Sequence, residues 1–134
     1  MLTGLALLAL RIGVGVELMV HGWPKIKSPA SVAGFMGQLG MKPALFWTWI
    51  VALVEFLGGI ALILGLLTRP VAFFVTIQFL IIAFYLKPKK MKVPFTTPQG
   101  AGWEWDWLIM MMGLALLLAG AGAYALDSVI GLPF

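Results

Sequence analysis

Cysteine is absent from this 134-residue chain, and histidine occurs once, at His21. The lack of cysteine excludes disulfide bonds, thiol chemistry and thiolate-bound metals or iron–sulfur clusters among the chain's own groups. A single histidine with scattered methionines offers no facing pair of axial ligands for haem. We therefore expect no intrinsic metal or cofactor. If the protein takes part in electron transfer, the carrier is an exogenous molecule.

Charged residues are also scarce, at 10% of the chain against 62% hydrophobic residues, and the mean hydropathy is +1.05. A soluble domain typically carries about 25% charged residues. Each of the main apolar stretches has about 16 to 22 residues, close to the length with which a helix crosses a bilayer core of about 30 Å. The sequence therefore predicts an all-α integral membrane protein, an antiparallel four-helix bundle forming a single transmembrane domain over residues 1–134. The predicted helices lie at about residues 2–21, 46–67, 71–86 and 107–126.

Lysines concentrate in two loops between the predicted helices, loop 1 at residues 22–45 and loop 3 at residues 87–106. Cytoplasmic loops of membrane proteins carry an excess of lysine and arginine. We therefore expect a multi-pass protein of the cell membrane, with loops 1 and 3 in the cytoplasm and both termini outside. The net charge of +4 then reflects topology and lipid head groups, and not a nucleic-acid partner.

A short helix is predicted inside loop 1. Ser28 followed by Pro29 is typical of a helix N-cap and first helical position. Apolar residues then recur with helical spacing from Val32 to Leu39, as on an amphipathic helix that lies in the membrane interface. We interpret this segment as a lid packed on the bundle.

Ionisable residues inside the apolar stretches are the main functional signal, because a charge at the bilayer centre costs about 3 kcal/mol or more. Counted from the lysine-rich face at about 1.5 Å per residue, Arg11 lies about 16 Å deep, Glu55 about 13 Å and Gln78 about 12 Å. This shared level predicts a buried Arg11–Glu55 ion pair, with Gln78 or Thr76 satisfying the remaining donors and acceptors. Such a pair either fixes the helix register or takes part in the function, and the sequence leaves both open.

Glu17 and His21 form a second polar level nearer the lysine-rich face, four residues apart on one helix face. A head group with acceptor oxygens, such as that of a quinone, would dock between the first, second and fourth helices, with His21 or Glu17 exchanging protons. Alternatively, these side chains are ordinary interfacial residues. The predicted pocket, roofed by tryptophans and open to the cytoplasmic face, comprises Glu17, His21, Lys25, Glu55, Trp103, Glu104 and Trp105.

The order and spacing of several short motifs resemble the DoxX family of small four-helix membrane proteins, over essentially the whole chain. Ala125 stands where the closing motif of that family usually has serine. The resemblance implies a four-helix fold and a membrane redox context, and it points to Arg11, His21, Lys25, Glu55, Arg69 and Asp127. The motifs are Arg11-Ile12-Gly13-Val14-Gly15, His21-Gly22-Trp23-Pro24-Lys25, Glu55-Phe56-Leu57-Gly58-Gly59, Leu64-Gly65-Leu66-Leu67-Thr68-Arg69 and the run from Gly120 to Asp127.

Three functions are compatible with these observations. The leading hypothesis is a quinone-interacting subunit of a membrane redox system, with the lipid bilayer, a lipophilic ligand and a redox partner protein or a second copy of the chain as partners. The second is a non-catalytic membrane anchor or assembly factor that recruits a cytoplasmic partner through loops 1 and 3. The third is a small transporter or proton path that uses Arg11, Glu17 and Glu55. We assign no catalytic residue, and the substrate and oligomeric state do not follow from the sequence.

Overall fold

Apolar residues run along a set of helices that make up most of the computed structural model, which describes all 134 residues and contains no β-strand. Three spans are long and apolar enough to cross a membrane: α1, α3, and α4 together with its π-helical continuation. The all-helical membrane class predicted from composition is confirmed. The elements are α1 (Leu2–Lys27), α2 (Pro29–Gln38), α3 (Ala44–Leu64), α4 (Thr68–Ile81), its π-helical continuation (Ile82–Lys90), α5 (Glu104–Ala119) and the single turn α6 (Leu126–Val129).

Helix α1 is longer than predicted, because it passes through Pro24 and ends at Lys27 instead of His21. A proline inside a helix lacks the N–H that would bond to the preceding turn and usually interrupts the helix. Here regular bonding resumes at once, since the amide of Ser28 donates to the carbonyl of Pro24 at 3.0 Å. The six added residues extend the helix by about 9 Å, which changes which side chains of the first helix lie level with Glu55.

The third span also begins earlier than predicted, at Thr68, so the expected Thr68-Arg69-Pro70 turn is the first turn of α4. Pro70 is compatible with this position, since the first amides of a helix have no partner within the helix. The span continues as a π-helix to Lys90. The last long helix lies nearer the N-terminus than predicted, as α5 begins at Glu104 instead of residue 107 and ends at Ala119 instead of residue 126.

Helix α1 packs along α3, and α4 packs along α5, whereas α3 and α4 contact each other much less. Small residues make the first of these pairings close: a Cβ on Gly15 would lie 2.6 Å from the carbonyl oxygen of Gly59. Gly13, by contrast, has open space around it. Glycine at a helix contact lets the two backbones approach where lipid supplies no hydrophobic driving force. Helices α1 and α3 are therefore closely packed. The short helix α2 packs mainly on α3.

Candidate functional site

Glu55 lies near the middle of α3 with 2% of its surface exposed, and each of its carboxylate oxygens has one partner. Lys25 donates to Oε2 at 2.7 Å, and the amide nitrogen of Gln78 donates to Oε1 at 2.9 Å. These three side chains come from α1, α3 and α4, and we call them the Glu55 cluster. A buried carboxylate held by a cation and an amide is a polar centre inside a mostly apolar bundle.

Lys25 reaches Glu55 because side chains on a helix are directed toward its N-terminus. From the last turns of α1 this direction leads back into the bundle, and the ammonium group also donates to the carbonyl of His21 at 3.0 Å. Gly22 permits the contact, since a Cβ there would lie 2.7 Å from the amide nitrogen of Phe56. The extension of α1 through Pro24 and the glycine one turn earlier therefore build the site together.

Arg11 does not belong to this cluster, and the predicted Arg11–Glu55 ion pair is wrong. The depth count assumed that the first helix ends at His21, but α1 continues to Lys27, so Lys25 belongs to the helix and its side chain reaches back to Glu55. Arg11 lies about 21 Å further along the helix, opposite the C-terminal end of α3. Its side chain is fully buried and all its hydrogen bonds go to backbone carbonyls. The acceptors are Leu62 at 3.0 Å, Ile63 at 3.2 Å, Ala121 at 3.0 Å and Tyr124.

Asp127 lies in the same region and is also fully buried. Its carboxylate accepts hydrogen bonds from the amides of Leu67 at 2.7 Å and Thr68 at 2.9 Å, at the start of α4. A carboxylate at this position satisfies unpaired amides and the positive end of the helix dipole. Arg11 at the end of α3 and Asp127 at the start of α4 thus hold the turn between these helices against the C-terminal segment. Arg11 and Asp127, two of the residues that the family resemblance implies, thus have a structural role here.

Glu17 and His21 remain near the surface of α1, with side chains 52% and 59% exposed, and His21 Nε2 lies 3.3 Å from Glu17 Oε2. With Trp105 and Ile109 of α5 they line a small cleft of about 250 Å³. The structure therefore brings Glu17, His21 and Trp105 together. The carbonyl of His21, through its hydrogen bond from Lys25, connects this cleft to the Glu55 cluster.

Trp103 and Glu104 do not line this cleft, so the predicted roof of tryptophans is reduced to Trp105. Trp103 turns toward the other side of α5, where its ring packs 4.6 Å from that of Phe95 and 5.6 Å from that of Phe84, measured between centroids. Glu104 borders a separate groove beside Phe95. Residues at the start of a helix point in directions about 100° apart, and neighbours in sequence therefore face different partners.

Asp106, which the polar pattern placed near the same level, is buried and forms an ion pair with Lys87 at 2.6 Å. Lys87 lies on the π-helical continuation of α4, so this pair ties the start of α5 to the end of the preceding span. The Asp106 carboxylate is therefore paired with Lys87, away from Glu17 and His21.

The sequence analysis missed an apolar cleft of about 270 Å³ between α3 and α4, partly covered by Met36 of α2 and by Met41. Eleven of its twelve lining residues are hydrophobic, and the other is Gln78 of the Glu55 cluster. Its lining residues occupy helix positions that read as ordinary lipid-facing residues in the sequence. Only the distance between the two helices distinguishes a cleft from a packed contact, and no sequence motif indicates that distance.

The DoxX family model matches residues 6–88, which is more than half of the chain. The chain belongs to the DoxX family. The DoxX match includes every residue of the Glu55 cluster, together with Glu17, His21 and Arg11, and it ends before α5 and Asp127.

Two curated proteins resemble this DoxX chain. It is 32% identical over 90 residues to "Putative oxidoreductase CatD" of Bacillus subtilis, an alignment that covers 66% of this chain and 62% of the relative. It is 36% identical over 78 residues to an uncharacterized protein of Haemophilus influenzae, covering 58% of this chain and 55% of the relative. The matched region thus spans less than two thirds of either relative's length. No solved structure matches.

Proposed function

We propose that this DoxX protein binds the head group of a quinone at the Glu55 cluster, as the quinone-interacting subunit of a membrane redox system. The observation that carries the proposal is the buried Glu55 carboxylate held between Lys25 and Gln78 beside an apolar cleft. Pockets for small apolar molecules typically combine a mostly hydrophobic lining with a few convergent polar groups. The oxidoreductase name of the Bacillus subtilis relative agrees with this assignment.

The hydrogen-bond inventory of the cluster leaves N–H donors for a ligand that accepts. Lys25 has three N–H donors and uses them on Glu55 and the carbonyl of His21, so one remains. The Gln78 amide has two N–H donors and uses one on Glu55. Gln78 lines the cleft, so its remaining donor can serve a quinone carbonyl oxygen, while Glu55 orients this side chain.

Reduction of a quinone to a quinol takes up electrons and protons in equal number. The electrons would come from a redox partner protein, since the chain has no cysteine and one histidine. Glu17 and His21 are exposed and adjoin the cluster through the His21 carbonyl, so they are suited to exchange protons with water. This division assigns ligand contact to Gln78 and proton exchange with water to Glu17 and His21.

Binding of a short-chain quinone to the purified protein in phosphatidylcholine nanodiscs tests this proposal. We expect saturable binding that weakens about fivefold in Gln78→Leu, because a hydrogen bond contributes about 1 kcal/mol, and that weakens further in Glu55→Gln. Thr76→Val is the matched control on the same helix, since the Thr76 hydroxyl donates only to its own helix, at the carbonyl of Ala72. Absence of saturable binding in the folded wild type, or equal affinity of Gln78→Leu and Thr76→Val, would contradict the proposal.

The proposed membrane arrangement has four crossings, with α5 as the fourth, α2 in the interface and the lysine-bearing loops in the cytoplasm. The 16 residues of α5 extend about 24 Å, and its packing along α4 supports this placement. The cysteine-free chain allows a direct test with single cysteines at Lys89 and Val129. A membrane-impermeant maleimide should label Val129→Cys in intact cells and Lys89→Cys only after permeabilisation, and the reverse pattern would invert the topology.

An anchoring role is a second candidate, favoured by the exposed lysines Lys89, Lys90 and Lys92, none of which forms an ion pair. Such a cluster fits an acidic cytoplasmic partner. Changing all three to glutamine should abolish co-purification of a partner from native membranes, whereas Arg69→Gln, an exposed position at the other end of the same span, should not. Retention of the partner by the triple variant would reject this role.

A transporter that relays protons through Arg11, Glu17 and Glu55 is not supported. The Arg11 guanidinium is engaged by carbonyls at the C-terminal end of α3 and in the C-terminal segment, away from the Glu55 cluster near the middle of α3. No continuous polar path through these three residues follows from that geometry.

A further inference from the structure

The cleft beside Gln78 is one half of a longer groove between α3 and α4. A second apolar cleft of about 300 Å³ lies further along the same two helices, and the two clefts share Val54 and Phe74 as lining residues. Along α3 the combined lining runs from Trp47 to Ala61, a rise of about 21 Å. We call this feature the α3–α4 groove, with an upper part near Trp47 and a lower part near Ala61. Its shape is that of a chain rather than of a compact ligand.

The groove exists because the helices pack in two pairs. Helix α1 packs along α3 and α4 along α5, while the direct contact between α3 and α4 is limited. Small side chains on α3 keep the lower part open, since it is lined by Gly58 and Ala61, and a Cβ on Gly58 would lie 3.2 Å from Val71 Cγ1. Larger residues at these positions would close the space.

The groove is open toward the bilayer side of the bundle, because lining residues such as Ile50, Ile77 and Phe74 are exposed. Gln78 is the polar residue of the upper part, and its one side-chain hydrogen bond goes to Glu55. Its amide oxygen and second N–H therefore have no protein partner. An apolar molecule can enter laterally from lipid and still meet a hydrogen-bond donor midway along the groove.

We infer that the α3–α4 groove binds the apolar tail of an isoprenoid quinone, whose ring lies in the upper part with a carbonyl oxygen at Gln78. The identity of the head group rests on the proposed function, whereas occupancy of the groove by the tail has its own test. A cavity of about 150 Å³ admits benzene, so the upper part, at about 270 Å³, has room for a substituted ring. Met36 and Met41 beside it are flexible and adapt to a ligand surface.

The lower part receives the first segment of the tail. Its lining by Leu57, Val71 and Phe74 is apolar, and its volume of about 300 Å³ is too small for a complete long tail. The remainder of the tail extends into the bilayer, where hydrocarbon is equally well solvated. The tail therefore contributes position and packing contacts, and the head group contributes the hydrogen bonds.

Photo-crosslinking maps the tail directly. A quinone with a diazirine group near the start of its tail is bound to the wild-type protein in phosphatidylcholine vesicles, illuminated, and the adducts are located by mass spectrometry. We expect adducts on Leu57, Val71 or Phe74 that are suppressed by excess unreactive quinone of the same tail length. Val20 on α1 and Leu118 on α5, which are 61% and 71% exposed, are the internal controls for random contact with lipid.

A matched pair of substitutions gives a second measurement. Ala61→Phe fills the lower part of the groove, whereas Ala9→Phe adds the same ring at an exposed position on α1. We expect Ala61→Phe to weaken binding of a long-tailed quinone at least about fivefold, since many small packing contacts are lost together. Binding of a quinone without an isoprenoid tail should stay unchanged in both variants.

Two results would overturn the inference: adducts spread evenly over Val20, Leu118 and the groove without competition, or equal affinity of Ala61→Phe and Ala9→Phe for the long-tailed quinone. Even, uncompetable labelling means that ordinary lipid chains fill the groove. Either result leaves the proposed function standing if short-chain quinone still binds at Gln78. Loss of all quinone binding in the folded wild type would instead reject the proposed function and the inference together.

Discussion

Replacement of Arg11 by methionine should be among the most destabilising single changes in this protein. Methionine keeps much of the side-chain volume but removes the donors to Ile63, Ala121 and Tyr124, whose carbonyls lose the partner that the arginine supplies. The carbonyl of Leu62 is less affected, because the amide of Gly65 also donates to it at 3.1 Å.

The magnitude follows from these lost bonds. Hydrogen bonds to charged groups contribute about 1.5–3 kcal/mol each, so three of them predict a loss of at least about 4 kcal/mol in the free energy of unfolding. Asp127 is left without its nearby positive charge, which adds to the loss. Arg69→Met is the matched control: this arginine is exposed and makes one bond, to the carbonyl of Leu118 at 3.1 Å, and its loss should cost about 1 kcal/mol or less.

The assay is reversible unfolding in mixed dodecyl-sulfate micelles, followed by circular dichroism. Arg11→Lys should fall between wild type and Arg11→Met, since an ammonium group cannot reach carbonyls on both sides as a planar guanidinium does. In a double-mutant cycle, Arg11→Met and Glu55→Gln should be additive within about 0.5 kcal/mol. A cost for Arg11→Met no larger than that for Arg69→Met, or a strong coupling to Glu55→Gln, would refute the assignment of Arg11 to the helix ends.

Three further perturbations follow from the same structure. Lys25→Met should lower the free energy of unfolding by about 3–5 kcal/mol, because it leaves the buried Glu55 carboxylate without its cation. Adding Glu55→Gln should recover part of this loss, and additive effects of the two substitutions in the unfolding assay would contradict the ion pair. Asp127→Ala should lower the free energy of unfolding by about 1–2 kcal/mol, because the start of α4 loses its capping carboxylate. Amide hydrogen exchange at the start of α4 should become faster, and unchanged exchange there would count against the cap. Gly15→Leu should prevent folding, since a Cβ there already collides with the backbone of α3, whereas Gly13→Leu should be tolerated. Thermal denaturation in detergent measures both variants, and similar melting temperatures would argue against the close helix contact.

The position of Lys25 shows why the candidate site was predicted only in part. Hydropathy identifies Glu55 and Gln78 as unusual residues within apolar helices, and the structure brings these two together. The choice of cation depended on where α1 ends, and proline at residue 24 predicts an end that the structure does not have. An error of six residues at one helix end displaces Arg11 by about 9 Å from its predicted level, and it left Lys25 outside the predicted helix.

Trp103 and Glu104 illustrate a second limit. Sequence places them at the same depth as His21, but depth does not specify the direction in which a side chain leaves its helix. That direction depends on the rotation of α5 against its neighbours, and the ring of Trp103 is turned toward Phe84 and Phe95. Only Trp105 reaches the cleft beside Glu17.

Composition and hydropathy by themselves determined that this is an all-helical membrane protein with a few buried polar residues, because the cost of exposing polar groups to lipid constrains every residue of a spanning helix. Tertiary structure alone decided which cation meets Glu55, which residues hold the helix ends, and that α3 and α4 separate into a groove. These features depend on helix rotation, register and separation, which are set by the sum of many contacts between helices and leave no local pattern in the sequence.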